Sequence, residues 1–166
     1  MSEYFQSFPT VTTIDDKIVT DITKRVDFFN KIRENSAIYE YIQVMDNERP
    51  EDISQMAYND PSLFYIILWI NNITDVWQEW ARNTDRLMEY VGQVYGTNNI
   101  FAVHHYETIQ GSDLGIGIIV NQGTPFSQSI SNFDYENSLN DAKRKIKIVN
   151  PVYISQIIKE FNAAFK

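Results

Sequence analysis

The sequence predicts an α+β fold whose centre is a strand followed by two short helices. Three observations carry this expectation. Tyr39–Val44, YEYIQV, alternates in the manner of a strand. Pro50 and Pro61 each stand where a helix can open, Pro50 ahead of two acids and Pro61 behind Asp60, which can cap. Leu63–Ile70 is almost wholly apolar, as expected of a helix buried on most of its surface.

From the start of the chain, Met1–Thr13 is rich in aromatics, contains Pro9 and shows no helical period, which predicts an extended arm. Ile18, Ile22, Val26 and Phe29 approach helical spacing, so Asp15–Arg33 is expected to form an amphipathic helix, with Asp15 and Asp16 at the positive end of its dipole. In Arg49-Pro50-Glu51-Asp52 the proline supplies a first helical position and the two acids complement the dipole. Ile53, Met56 and Ala57 then define one apolar face. Asp60 can cap the second helix ahead of Pro61, and Asn71-Asn72 stops it. A closing strand is expected directly afterwards.

Beyond Trp77, Asn83 or Thr84 can cap a helix carrying Leu87, Met88, Val91 and Val94, with Gly96 as a left-handed stop. Ile100–Thr108 and Gly115–Asn121 read as two strands of a small antiparallel sheet, joined by a Gln110–Asp113 turn. Gln122–Asn137 reads as a polar loop. Ile146 and Ile148 alternate with lysines in a short strand, and Asn150-Pro151 opens a last helix striped with Ile154, Ile157, Ile158, Phe161 and Phe165. Three regions follow: an arm and helix over 1–37, a core over 38–75, and a C-terminal α+β region over 76–166 packed on that core. The expected core residues are Ile53, Ala57, Leu63, Ile67, Leu68, Ile154, Ile157, Ile158 and Phe161.

Composition bounds the function. The 166 residues suit one domain with extensions, 43% of them are hydrophobic, and 14% are aromatic, which serves cores and protein interfaces alike. A formal net charge of −8 argues against a broad phosphate-binding face and hence against nucleic acid as the principal partner. Without cysteine there is no disulfide and no thiolate zinc site. The start MSEYFQSF lacks the basic and apolar regions of a secretory signal, and the apolar run Leu63–Ile70 is too short to span a bilayer, so no membrane role is expected.

No constellation of catalytic residues stands out, so no enzyme activity and no cofactor are expected. His104-His105 with Glu107 is the sole histidine cluster, but neighbours on a regular strand point to opposite faces, which leaves His105 and Glu107 together and too few ligands for a metal. Gly115-Ile116-Gly117 lacks the third glycine and following helix of a dinucleotide fingerprint and reads as a flexible or bulged strand. Candidate contacts for a protein partner are Tyr4, Phe5 and Phe8 in the arm, Arg49 before the first helix, Trp77 and Trp80, and the basic residues Lys143, Arg144 and Lys145. Trp77 and Trp80 can equally staple the chain to its core or anchor another subunit. The lysines can equally guard a solvated strand edge.

One family resemblance adds to this reading. The strand, the Arg49-Pro50-Glu51-Asp52 helix, the Tyr58-Asn59-Asp60-Pro61 turn, the apolar helix with Leu68-Trp69 and the exit Asn71-Asn72-Ile73 resemble the LysM fold. More narrowly, they resemble the baseplate wedge protein of T4-like contractile-tailed phages, the family of gene product fifty-three. Lys143–Phe161, KRKIKIVNPVYISQIIKEF, is similar to that family's basic strand and closing helix. The resemblance covers Ile38–Trp80 and Ala142–Phe165. It implies a structural virion protein of the tail baseplate, assembled in the host cytoplasm. Several copies would join wedges to one another and to sheath-initiating parts during assembly. The alternative it leaves open is a LysM-like module that binds peptidoglycan carbohydrate.

Overall fold

A computed structural model of the chain describes residues 8–21 and 38–163. Thr10–Thr12 (β1) and Ile18–Thr20 (β2) pair antiparallel around a turn in which Asp16 takes a left-handed φ of 56°. This corrects the helix expected from Asp15 onward, as far as Thr20. The run Val11-Thr12-Thr13-Ile14 and the segment Ile18-Val19-Thr20 are almost entirely β-branched, and that preference overrides the spacing of isoleucines. Asp15 and Asp16 belong to the turn, where Asp tolerates left-handed backbone, and not to a helix start. Ile22, Val26, Phe29 and the rest of that segment through Arg33 lie outside the described residues, as do Tyr4 and Phe5.

Contacts divide the chain into two units: Met1–Trp80 with Lys145–Lys166, and Ala81–Arg144. In the first, Tyr39–Gln43 (β3) forms as expected, but its antiparallel partner is Lys145–Val149 (called β7 in chain order), in register from Tyr39↔Val149 to Gln43↔Lys145. No strand follows the helix pair directly. Instead Glu79 turns its carboxylate back onto the chain, accepting from the backbone N–H groups of Thr74 (2.6 Å) and Asp75 (2.9 Å). Those donors are thereby committed to a short helix, Val76–Glu79, and not to a ladder. The closing strand thus comes from far along the chain, so the segment from Lys145 joins the first unit and not the region of residues 76–144 with which the sequence reading grouped it.

The helix pair follows its punctuation. Pro50–Tyr58 (α1) opens at its proline and stops at Asn59, which adopts φ 57° and donates its N–H to the carbonyl of Gln55. Asp60 then caps a 3-10 turn, Pro61–Leu63, by accepting from Ser62 N at 2.9 Å, and Phe64–Ile70 (α2) continues it. Buried Ser54 ties the two helices together through a 2.7 Å hydrogen bond to the Asp60 carbonyl. Met56, expected on the buried face of α1, is 66% exposed. Pro50 and Ser54 extend the buried stripe of Ile53 and Ala57 in the other direction, which leaves Met56 roughly 110° from its centre at the helical 3.6-residue turn.

The core explains why α2 is apolar on every side. Ile66 and Ile70 pack in one cluster with Leu63, Tyr39, Val149 and Ile157, the last from Pro151–Ala163 (α6 in chain order). Ile67 enters a second cluster with Val44, Ile53, Trp80, Ile146 and Ile148. Of the expected core, Ala57, Leu68, Ile154 and Ile158 are partly buried and line these clusters. The side chain of Phe161 lies outside the described residues.

Asn71 does more than end α2. Its side-chain oxygen accepts from the backbone N–H of Lys147 (2.8 Å), and its amide nitrogen donates to the Lys147 carbonyl (2.7 Å). One side chain thereby completes the ladder on the outer edge of β7. Next along that edge, the Tyr58 hydroxyl accepts from Val149 N at 3.0 Å, and burial pushes this phenol up to about 12. Asn71→Leu keeps the volume but strands both Lys147 groups. With about 1–3 kcal/mol for each unsatisfied buried group, the urea midpoint is expected to fall clearly, and an unchanged midpoint would show that water replaces the amide.

In the second unit, Thr84–Tyr95 (α4, after the short α3 at Val76–Glu79) is capped by Asn83, whose Oδ1 accepts from Arg86 N, and ends at Gly96 with φ 90°. Val103–Thr108 (β4) is the middle of a three-stranded antiparallel sheet, between Ile119–Val120 (β5) and Ser127–Ser131 (β6). The segment expected as a polar loop is therefore β6 followed by Asn132–Ala142 (α5). The local signal was Ser131-x-x-Asp134, a reciprocal cap in which Ser131 Oγ accepts from Asp134 N at 3.1 Å. Buried asparagines hold this unit. Asn140 brackets Arg82, accepting from its N–H (2.7 Å) and donating to its carbonyl (2.9 Å), while Asn132 donates to the Asn99 carbonyl.

Candidate partner interface

Trp77 and Trp80 are separated by one short helix, Val76–Glu79, and that helix decides their roles. Asp75 Oδ1 accepts from Trp77 N (2.9 Å), and the Glu79 carboxylate closes the same turn from behind. In this rigid frame Trp77 is 76% exposed, whereas Trp80 is 7% exposed and sits in the second core cluster. The Trp80 indole N–H donates to the Glu48 carbonyl at 2.9 Å, across the turn that precedes α1. Trp80 is thus a staple and leaves the candidate interface, a correction that follows from its packing. Phe8, also proposed for partner contact, is buried at 8% exposure.

Arg49 is exposed, and its backbone N–H donates to Asp52 Oδ2 at 2.9 Å, so it starts α1 while its side chain faces outward. The basic residues separate by environment. Arg144 is half-buried, held by Asp141 (Nε to Oδ1, 3.0 Å) and within 3.4 Å of the Arg82 carbonyl, so it braces the second unit. Lys143 is partly buried just past α5. Lys145 is exposed, with its ammonium 5.0 Å from the ring centre of Tyr41. Lys147 lies 6.0 Å from the same ring. Lys147 belongs to the basic run that starts at Lys143, whereas Tyr41 carries no signal of its own in the sequence. The register of β3 and β7 places Tyr41 opposite Lys147.

The histidines behave differently from the regular-strand expectation. β4 pairs Val103 with Ser131 and His105 with Ile130, so His104 is an extra residue in a β-bulge. The bulge breaks the alternation and brings the rings together, Nδ1 to Nδ1, at 2.7 Å. His105 Nε2 bonds Glu107 Oε1 at 2.8 Å, as shared facing implied. His104 also stacks on Tyr135, with ring centres 4.1 Å apart, next to Tyr95, whose hydroxyl donates to Glu136. Desolvation, then the Glu136 carboxylate, push that phenol up to about 12. The arrangement ties β4 to α4 and α5 by polar and stacking contacts. Among the described residues no group of three or more His, Asp or Glu is placed to hold a metal ion, and no helix is long and apolar enough to cross a membrane.

The family model of the phage base plate wedge protein 53 matches residues 3–115, more than half of the chain. The chain belongs to that family. The match includes β3, the helix pair, Trp77 and Trp80, and runs on through α4 and β4 into a region that the resemblance did not cover. The family identifies a structural protein of the phage tail baseplate, whose neighbours are other baseplate proteins. No curated protein matches the chain.

Proposed function

We propose that this wedge protein is an adhesive joint without enzymatic activity. It joins wedges to one another and to sheath-proximal baseplate parts during assembly of a contractile tail. Several copies act in each virion, and assembly takes place in the host cytoplasm. The observation that carries the reading is Trp77, exposed on a turn in which the Thr74, Asp75 and Trp77 N–H groups are held by the Glu79 and Asp75 carboxylates. A tryptophan held ready in this way loses little conformational freedom on docking, which is the character of an interface hot spot. Arg49, Lys145 and the Tyr41 ring add charge and aromatic area on the same unit.

A LysM-like core is the scaffold in this reading. The strand β3, the pair α1–α2 and the closing strand β7 supply its strand-helix-helix-strand order, with Ala81–Arg144 inserted before the last strand. Tyr4 and Phe5 would enlarge the interface from the arm. Co-expression with the other baseplate proteins of the same phage, read by size exclusion and calorimetry, tests the proposal. Trp77→Ala is expected to weaken the complex by about thirty-fold, the equivalent of about 2 kcal/mol at a hot spot, with an unchanged thermal midpoint. Failure of the unaltered protein to bind any baseplate partner would sink the reading.

A further inference from the structure

The second unit carries an apolar projection that the core does not use. Between β4 and β5 the chain runs Ser112-Asp113-Leu114-Gly115-Ile116-Gly117-Ile118, Ile119 opens β5, and these aliphatic side chains are exposed. Leu114 is 62% exposed, Ile116 72%, Ile118 47% and Ile119 69%. Four exposed aliphatic side chains within the six residues Leu114–Ile119 are unusual in a surface that stays in water. The backbone, in contrast, is well held. Buried Thr108 clamps the returning strand with three bonds: its N–H donates to the Ile118 carbonyl, its carbonyl accepts from Gly117 N, and its Oγ1 accepts from Ile118 N. Ser112 closes the tip by accepting from Leu114 N and Gly115 N. Gly115 and Gly117 have φ of 98° and 75°, with open space where a Cβ would stand. They are there for conformation and not for packing. Main-chain hydrogen bonds therefore present the aliphatic side chains outward without a core to receive them.

The charged residues tied to this tip, Asp113 within it and Glu107 on the paired strand, are both acidic. No lysine or arginine occurs between Arg86 and Lys143, a span that holds Glu89, Glu107, Asp113, Asp134, Glu136 and Asp141. Glu107 stands directly across the ladder from Ile119. An anionic lipid surface is disfavoured by such a rim. A protein surface with an apolar centre and a lysine- or arginine-bearing edge matches it in both respects.

We propose that Leu114, Ile116, Ile118 and Ile119 form a docking surface for a protein partner whose contact area is apolar and edged with lysine or arginine. The proposal rests on the reading of the chain as an assembly subunit and adds a surface distinct from Trp77. The full chain is co-expressed pairwise with the other baseplate proteins of its phage, and affinities are measured for the unaltered protein, Ile116→Asp, Asp113→Lys and Trp77→Ala. At least one partner is expected to lose about thirty-fold or more in affinity with Ile116→Asp, as for a hot spot, and to bind Asp113→Lys more weakly, with unchanged thermal midpoints for both variants. Partners that bind the unaltered protein and Ile116→Asp equally well would overturn this surface while leaving the assembly reading intact. Binding by no baseplate protein at all would overturn both. The surface is reassigned, and the proposal fails, if Ile116→Asp instead abolishes self-association of the isolated chain. Loss of binding to phosphatidylglycerol-containing vesicles in that variant, without any effect on protein partners, would overturn it in favour of lipid.

Discussion

Trp80→Ala is expected to lower the stability of the first unit by about 3–5 kcal/mol, the range for truncating a buried tryptophan. Trp80 is 7% exposed among Val44, Ile53, Ile67, Ile146 and Ile148, so its removal opens a cavity bordered by both strands of the sheet and both helices. The indole also satisfies the Glu48 carbonyl, which α1 leaves without another partner in its own first turn. A domain of this size has about 5–15 kcal/mol in all, so the variant is expected to be partly unfolded at growth temperature. Trp80→Phe separates the two contributions: it retains most of the ring and loses the hydrogen bond, and a smaller fall, of about 1 kcal/mol, is expected. Urea unfolding followed by the fluorescence of Trp69 and Trp77 measures both. A midpoint for Trp80→Ala equal to that of the unaltered protein would mean that this tryptophan does not staple the core.

The second large effect is expected at Ile67. This residue is fully buried, and Ile67→Ala should cost about 2–5 kcal/mol through lost transfer and the residual cavity. Leu68, one position on, is only partly buried and lines the same cluster from its margin, so Leu68→Ala should fall below Ile67→Ala. The order matters more than either magnitude, because neighbouring substitutions in one helix share most systematic error. Denaturant midpoints for the two variants provide it. A greater loss at Leu68 would mean that α2 is rotated by about one residue from the position described here.

The contrast between these neighbours shows what an apolar run leaves open. Leu63–Ile70 is hydrophobic at every position, so no period within it distinguishes a deep side from a shallow one. The two core clusters make that distinction: Ile66 and Ile70 face one, Ile67 the other. The same holds for Trp77 and Trp80. Their spacing left the staple and the anchor equally open, and the Asp75 and Glu79 cap orients one outward and the other inward. For His104 and His105 the alternation of a regular strand pointed the wrong way, because a bulge inserts one residue and turns both rings to the same side. A bulge depends on the partner strand β6, whose polar residues read locally as loop.

What the sequence by itself determined is the local punctuation. Pro50, Asn59, Asp60 and Pro61 set the ends of the helix pair, and Asn83 and Gly96 set those of α4, because a cap or a left-handed stop acts on backbone groups within a few residues. The α+β class and the family resemblance were legible for the same reason, since both are carried by contiguous residues. Tertiary structure alone decided which strand closes the first sheet. β3 has its partner in β7, with the second unit lying between them in the chain, and no local preference selects a partner at that distance. It also gave Asn71 its second role. As a residue after an apolar run, Asn71 reads as a helix stop. Only when β7 lies beside it do its amide oxygen and nitrogen meet the N–H and carbonyl of Lys147, because long-range hydrogen bonds exist only after the chain has folded to bring the groups together.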